Sequence, residues 1–139
     1  MADSYFLDTN ILVYAHDSAH PAKQAKAQSL IAEGLAQDRL VVSAQVLSEF
    51  FVVTTQKIKI PLTAPKAREE LDILRLARVI EIDADLVLAA VDERIKHRVS
   101  FWDGLILSAA QRAGCKTLYS EDLSHNQMFH ALKVVNPFS

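Results

Sequence analysis

Short apolar runs, several of them rich in β-branched residues, alternate along this chain with longer segments that carry helix signals. Five runs have the length and composition of buried strands, namely residues 4–7, 39–43, 79–82, 116–120 and 132–136. Strands that alternate with helices form parallel sheets covered by helices. The pattern therefore predicts an α/β fold with a parallel five-stranded sheet flanked by helices on both faces.

The segments between these runs have residues that favour the start or the end of a helix. Proline stands in the first turn of two segments, Ser, Thr or Asp stands where others begin, and Gly114 stands where the last one ends. The predicted helical segments are a turn from Asn10, then residues 20–37, 43–55, 63–78, 83–97 and 100–114. In the segment 83–97, Val87, Val91 and Ile95 form one apolar stripe, as in an amphipathic helix.

Length and composition limit the class of protein. The 139 residues are 50% hydrophobic and 23% charged, and they contain no repeat, low-complexity tract or linker, which predicts one globular domain over residues 1–139. A net charge of −2 argues against strong nucleic-acid binding through bulk charge, although a local basic patch stays possible. The single cysteine, Cys115, has no partner for an internal disulfide. Without a signal peptide or a membrane-length apolar run, the expected location is the cytoplasm.

Four acidic residues stand where predicted strands end or predicted helices begin. Asp8 follows the first strand directly, Asp122 follows the fourth, Glu49 lies in the helix after the second strand, and Asp103 lies in the first turn of the helix that starts at Ser100. In parallel sheets, ligands bind beyond the carboxyl ends of the strands. Crowded acids repel one another unless a cation holds them. Oxygen ligands suit Mg²⁺ or Mn²⁺ rather than zinc, and no His and Cys set shows zinc spacing.

Each acid also has a purely structural interpretation. Asp8 could cap the short helix that begins at Asn10. Asp103 is three residues after Ser100 and fits a capping box. Glu49 could be an ordinary surface glutamate, and an acid directly after a strand is a common turn residue. The joint placement of the four acids favours a site over four unrelated structural roles.

Four segments of the chain resemble, in order, the acidic motifs of a known family. They are FLDTNILVYA, SAQVLSEFF, SFWDGLILSAA and LYSEDL, and they are similar to those of the PIN-domain family, most of all its VapC-type ribonuclease toxins of toxin–antitoxin pairs. The likeness runs from Tyr5 to Asp122 and on to the final strand. It implies a single PIN-like nuclease domain.

The resemblance also implies the residues of a metal centre. By likeness to the family motifs, the metal-site and catalytic acids are Asp8, Glu49, Asp103 and Asp122. One or two Mg²⁺ or Mn²⁺ ions held there would serve hydrolysis of RNA phosphodiester bonds. Asn10 and Ser120 resemble the polar residues that support these acids. Glu121, adjacent to Asp122, is the alternative for the fourth acid, and Asp122 is favoured.

Cationic and aromatic side chains precede the third acid. Arg94, Lys96 and Arg98 come immediately before SFWD, where they could hold an RNA backbone beside the acids. The alternative is that they complement the dipole of a helix end. Trp102 could stack on a base, although beside Phe101 a place in the core is the commoner outcome.

These expectations define a leading function and two alternatives. The leading one is a metal-dependent endoribonuclease, the homodimeric toxin of a toxin–antitoxin pair with a cognate antitoxin as partner. The first alternative is a PIN-like RNA- or protein-binding module with little catalysis, which would not need all four acids. The second, a metal-dependent phosphatase, is disfavoured because no second acid follows Asp8 at a two-residue spacing and no Gly-rich phosphate loop is present.

Overall fold

The computed structural model describes residues 3–139, in which six strands alternate with six helices. In chain order the elements are β1 (Tyr5–Leu7), α1 (Thr9–Tyr14), α2 (Pro21–Ala36), β2 (Leu40–Ser43), α3 (Ala44–Gln56), α4 (Ala64–Leu74), β3 (Arg78–Ile80), α5 (Ala84–His97), α6 (Phe101–Arg112), β4 (Thr117–Tyr119), β5 (Met128–Phe129) and β6 (Leu132–Val135). The predicted domain of residues 1–139 includes Met1 and Ala2, which lie outside the described residues. Within the described chain, no helix has the length and hydropathy needed to cross a membrane.

The strands form one sheet in the order β3-β2-β1-β4-β6-β5. The first five strands of this order pair in parallel, and β5 pairs antiparallel with β6 at the edge. Every side chain of β1 and β2 is buried, and because successive side chains of a strand point to opposite faces, both faces of the central sheet are covered. The predicted α/β class is confirmed.

The prediction of five parallel strands missed the edge strand β5. Met128 and Phe129 form only a two-residue strand, which is too short to give a periodic pattern in the sequence. It exists because a tight turn at His130 folds the chain back, so that Phe129 pairs with Leu132. The sheet therefore has six strands, of which one is antiparallel.

The predicted helix starts are confirmed, whereas one end is wrong. Ser43, Thr63, Asp83 and Ser100 each accept a hydrogen bond from a backbone N–H in the first turn of the helix that they cap. Helix α4 ends at Leu74, four residues before the predicted end, because the chain needs a turn to enter β3.

The apolar stripe predicted for α5 does not face the core. Val87, Val91 and Ile95 are 37%, 40% and 74% exposed, whereas the buried residues of α5 include Leu86 and Ala90. The helix buries this other face because it packs closely on α6.

A glycine permits the close approach of α5 and α6. A Cβ atom on Gly104 would lie 2.6 Å from the backbone oxygen of Ala90, which is too close for any side chain. This approach fixes the first turn of α6, which carries Asp103.

Candidate active site

The pairing of β1 with β4 brings the first and fourth motifs together. Leu7 is in register with Tyr119, so Asp8 and Ser120 leave the sheet side by side at the same edge. The Ser120 hydroxyl donates to Asp8 Oδ2 over 2.7 Å, and the Thr9 backbone N–H donates to Asp8 Oδ1 over 2.7 Å. Asp8 is only 6% exposed, and it is the N-cap residue of α1. The capping interpretation is thus correct in itself, but it does not explain the burial of the acid.

The Asp8 carboxyl is strained electrostatically. Burial raises its pKa from 3.8 to about 6, against the opposing effect of the hydrogen bonds from Ser120 and Thr9. The charged side chains that act most strongly on it are Asp122 and Asp103, and both raise its pKa further. A buried acid on which the other acting charges are also negative is a position that a cation would stabilise.

Asp103 occupies the first turn of α6. Burial raises the pKa of its carboxyl, the Ser100 hydroxyl opposes that rise, and the charge of Asp122 adds to it. The backbone N–H of Asp103 donates to Ser100 Oγ over 3.0 Å, which is the Ser100 half of a capping box. Between residues 3 and 139, no backbone N–H donates to the Asp103 carboxylate, so the other half of the box is not formed. The carboxylate therefore has no capping role.

Asn10 fixes the loop that carries the fourth acid. Its amide nitrogen donates to Asp122 Oδ2 over 2.9 Å, and its amide oxygen accepts from the backbone N–H of Glu121 over 3.2 Å. On the other side, Ser120 Oγ accepts from the backbone N–H of Asp122 over 3.2 Å. The two residues predicted to support the acids, Asn10 and Ser120, thus contact Asp122 and Asp8 directly. Their supporting role in function stays a prediction.

Glu121 and Asp122 have different surroundings. The Glu121 carboxylate accepts from the Tyr14 hydroxyl over 2.7 Å and forms an ion pair with Lys23. Asp122 is exposed, and its charge acts on Asp8 and Asp103. Because Glu121 already has a cation, the arrangement favours Asp122 as the fourth acid. Tyr14 and Lys23 were not predicted, and nothing in the sequence links them to Glu121.

Glu49 reaches the same edge from α3. The Thr9 hydroxyl donates to Glu49 Oε1 over 3.2 Å, and Glu49, Asn10 and Asp122 line one open cleft of about 390 Å³. Thr9 is a further residue that the sequence prediction missed, although its place between Asp8 and Asn10 in the first motif was a usable signal. The structure thus brings all four predicted acids to one edge of the sheet.

The four acids do not form a compact cage. In the part of the chain that the structure describes, only Glu93, His97 and His130 place three potential metal-ligand atoms within 4.8 Å of one another. Among residues 3–139, no three carboxylate oxygens from different members of this acidic set lie that close together.

Trp102 is not a core residue. It is 63% exposed and lines a largely apolar cleft of about 370 Å³ together with Glu49 and Ile82. The Gln45 amide donates to the backbone oxygen of Trp102 over 3.2 Å and so ties the residue to α3. The core face of α6 is supplied by the residues that follow, which leaves the indole beside one of the acids.

The three predicted substrate cations lie in or next to the last turn of α5. Arg94, Lys96 and Arg98 are all exposed. The Arg94 guanidinium donates to the backbone oxygen of Val99 over 2.9 Å, and Arg98 is the C-cap residue with a φ of 58°. Arg94 therefore serves the helix end, as the alternative interpretation expected, and phosphate contact by the three cations stays a prediction.

Comparison with known proteins agrees with this architecture. A model of the PIN domain family matches residues 5–128, so the chain belongs to the PIN domain family. No curated protein sequence matches the chain significantly.

Three solved structures have a similar fold. VapC20 of Mycobacterium tuberculosis, a toxin that cleaves the sarcin–ricin loop, is 22% identical; the match covers 86% of this chain and 90% of that chain, with a TM-score of 0.67. A toxin–antitoxin complex from Klebsiella pneumoniae is 20% identical, with 96% of this chain and 98% of that chain covered and a TM-score of 0.68. VapBC2 of Rickettsia felis, bound to a DNA fragment from the VapBC2 promoter, is 21% identical. The match covers 94% of this chain and 96% of that chain, with a TM-score of 0.64. At these identities, the likeness shows a shared fold.

Proposed function

We propose that this protein is a metal-dependent endoribonuclease that hydrolyses RNA phosphodiester bonds, and that it is the toxin of a toxin–antitoxin system. The observation that carries the proposal is the environment of Asp8, a buried carboxyl with a pKa of about 6 whose strongest charged neighbours are Asp103 and Asp122. A buried carboxyl whose pKa is raised by two further acids is unfavourable for a fold unless it serves a cation.

The donor set of this site fits Mg²⁺ or Mn²⁺. Asp8, Asp103 and Asp122 offer carboxylate oxygens, and Glu49 lines one cleft with Asp122. His20 also lines that cleft, but its ring nitrogen lies 3.0 Å from the carboxylate of Asp17. When bound, such an ion lowers the pKa of a water molecule and stabilises negative charge on the phosphate oxygens. Asp8 and Asp103 would hold the ion, because they are the two acids of the site whose pKa is raised by burial.

The other residues of the site position these groups. Ser120 and Thr9 fix the two oxygens of Asp8, and Asn10 fixes Asp122. Glu49, which the Thr9 hydroxyl holds at the cleft, is placed to orient a water molecule or to complete the ligand set.

The comparisons support an RNA substrate and an antitoxin partner. Two of the structures with this fold are toxin–antitoxin proteins, and VapC20 is a toxin that cleaves the sarcin–ricin loop. Large apolar side chains are exposed on α4 and α5 or just after them, among them Ile73, Leu76, Leu88 and Ile95. Such surfaces are suited to burial against another chain, and we assign them to a homodimer and its cognate antitoxin.

The direct test is incubation of the purified protein with a panel of structured RNAs that includes a sarcin–ricin loop hairpin. We expect cleavage with Mg²⁺ or Mn²⁺, no cleavage with EDTA, and recovery when Mg²⁺ is added in excess of the chelator. Retention of RNA without cleavage under all these conditions would instead favour a binding module with little catalysis. Cleavage that is unaffected by EDTA would contradict the proposed role of the acids.

Trp102 should contribute to RNA binding. An exposed indole beside Glu49 can stack on a base, and such stacking is worth about 1–3 kcal/mol, or a rise in KM of about 5- to 150-fold on replacement by alanine. The measurement is steady-state cleavage by Trp102→Ala, with Trp102→Phe expected to recover most of the loss. Ile60→Ala removes an equally exposed apolar side chain, from the connection before α4, and serves as the control. Equal KM values for Trp102→Ala and wild type would rule out stacking.

A further inference from the structure

Two histidines and a glutamate converge outside the acidic site. Glu93 and His97 lie one turn apart on α5, and His130 lies in the turn between β5 and β6. His130 Nε2 is 3.1 Å from Glu93 Oε1, and His97 Nε2 is 3.3 Å from Glu93 Oε2. The potential ligand atoms of all three residues lie within 4.8 Å of one another.

Two of these atoms lack the hydrogen bonds that buried polar atoms normally have. The Glu93 side chain is only 9% exposed, and Glu93 Oε2 and His97 Nε2 are both buried without a hydrogen-bond partner among residues 3–139. A buried polar atom left unpaired is costly and rare in folded proteins. A cation held between the carboxylate and the imidazole would satisfy both atoms.

The two imidazole rings are held in place by packing. The His97 ring meets the buried ring of Phe129 edge-on with 5.0 Å between centroids, and it meets the His130 ring edge-on at 5.8 Å. Both histidines present the same nitrogen, Nε2, to the carboxylate of Glu93. The three side chains are thus oriented toward one point.

We infer that Glu93, His97 and His130 form a zinc site that fastens the edge hairpin of β5 and β6 to helix α5. Two imidazole nitrogens and one carboxylate oxygen are a common zinc donor set, with water as the fourth ligand. Zinc bonds of about 2.0–2.2 Å in a tetrahedron separate ligand atoms by about 3.3 Å. The nitrogen–oxygen separations of 3.1 and 3.3 Å run to the two different oxygens of Glu93, and each is close to that value. With one ligand atom from each residue, all three atoms lie within 4.8 Å of one another.

The inference goes beyond the proposed nuclease, because the zinc site shares no residue with the four acids. Mg²⁺ prefers oxygen ligands and zinc binds imidazole nitrogen, so the two sites differ in the metal ion that they prefer. No zinc spacing is visible in the sequence, because His130 comes from a different element than Glu93 and His97. The role of the site is structural: it holds an edge strand of only two residues that has one neighbouring strand.

The test is titration of metal-free, full-length protein with Zn²⁺, followed by calorimetry and thermal unfolding. We expect one tightly bound zinc and a rise in Tm of about 5–10 °C at about a hundredfold excess over Kd. Co²⁺ in place of zinc should give the visible absorption of a four-coordinate site. Nickel and copper also bind imidazole, so they are included as competitors.

Three variants locate the ion. His97→Ala and Glu93→Gln each remove one ligand, and His130→Gly removes the third while glycine adopts the positive φ of 57° at that position without strain. Each should weaken zinc binding at least about 100-fold, because loss of a mere supporting residue already costs 10- to 100-fold. His125→Ala removes an exposed histidine of the preceding loop and should bind zinc as wild type does.

An Asp8→Asn protein separates the two metal sites. It should keep both the zinc affinity and the zinc-dependent rise in Tm of the wild type. Absence of tight zinc binding in wild type, or unchanged binding in His97→Ala and His130→Gly, would overturn the inference. So would loss of zinc binding in Asp8→Asn alone, which would place the ion among the acids. None of these readouts depends on RNA cleavage, so the proposed nuclease can fail without affecting the zinc site.

Discussion

Replacement of Asp8 or Asp103 by asparagine should reduce Mg²⁺-dependent RNA cleavage at least about 100-fold while the protein stays folded. Changes to residues that only support a metal ligand cost about 10- to 100-fold, and direct ligands cost more. Asparagine has nearly the shape of aspartate, so the cleft should keep its form. The measurement is the single-turnover cleavage rate at saturating Mg²⁺, with circular dichroism as the check on folding.

Asp103→Asn is the sharper of the two variants. The cap of α6 is a hydrogen bond from the backbone N–H of Asp103 to Ser100 Oγ, so the substitution leaves the cap in place. If the side chain served only the helix end, the variant would lose at most about 1 kcal/mol of stability and would cleave RNA normally. If it holds the metal, the variant loses activity and keeps its stability.

Asp38→Asn is the matched control. Asp38 is exposed in the turn before β2 and has a φ of 55°, a conformation that asparagine adopts readily. The change removes one negative charge, as the site variants do, but from a position outside the acidic edge. Wild-type cleavage rates in Asp8→Asn or Asp103→Asn would contradict the metal-holding role.

Much of the fold could be predicted because its signals are local. Four helix starts are predicted by their N-cap residues, Ser43, Thr63, Asp83 and Ser100. Apolar runs predict the five longer strands. The prediction was wrong where tertiary packing determines which helix face is buried or whether a strand forms. Helix α5 buries Ala90 against Gly104 instead of its larger apolar stripe, and β5 exists only through its pairing with β6.

The sequence predicts that the acids lie at one edge of the sheet, but it does not predict which side chains contact them. A parallel sheet brings the residues that follow β1 and β4 to one edge, so Asp8 and Asp122 could be placed together from the order of strands. The ion pair of Glu121 with Lys23 joins residues of distant elements, and no local pattern announces it. Trp102 was misplaced because an aromatic pair in a helix usually packs inward, whereas here only its surroundings in the fold expose it.

The stability of the ion-free protein should fall as the pH rises from about 4 to about 7, and Asp8 should account for much of the fall. The Asp8 pKa is about 6 in the fold and 3.8 in an unfolded chain, so the folded protein binds the proton more tightly. A group of this sign favours folding while it is protonated, and the advantage is lost as it ionises. The difference in pKa corresponds to about 3 kcal/mol of unfolding free energy.

Asp8→Asn should be less stable than the wild type at pH 4 and more stable than the wild type at pH 8. At pH 4 the wild-type carboxyl is protonated, so it accepts through one oxygen and has one O–H to donate, whereas the amide has two N–H donors. Ser120 Oγ already accepts from the backbone N–H of Asp122, so the variant loses about 1 kcal/mol at pH 4. At pH 8 the wild type has a buried charge that the variant lacks. The variant should then be more stable by about 2 kcal/mol.

Urea unfolding of both proteins at pH 4 and pH 8, in EDTA and in Mg²⁺, tests whether the order of their stabilities changes with pH. Magnesium bound only by the folded state should stabilise the wild type at pH 8 by about 2.7 kcal/mol at about a hundredfold excess over Kd, and Asp8→Asn should lose most of that gain. Other titrating groups, such as Asp83 with its pKa lowered by Arg112, are common to both proteins and cancel in the difference. If Asp8 were only a helix cap, its charged form would be the stabilising one, so the wild type would gain stability relative to Asp8→Asn from pH 4 to pH 8, and neither protein would respond to Mg²⁺. A wild type that is as stable in EDTA at pH 8 as with Mg²⁺ would mean that the three acids hold no ion.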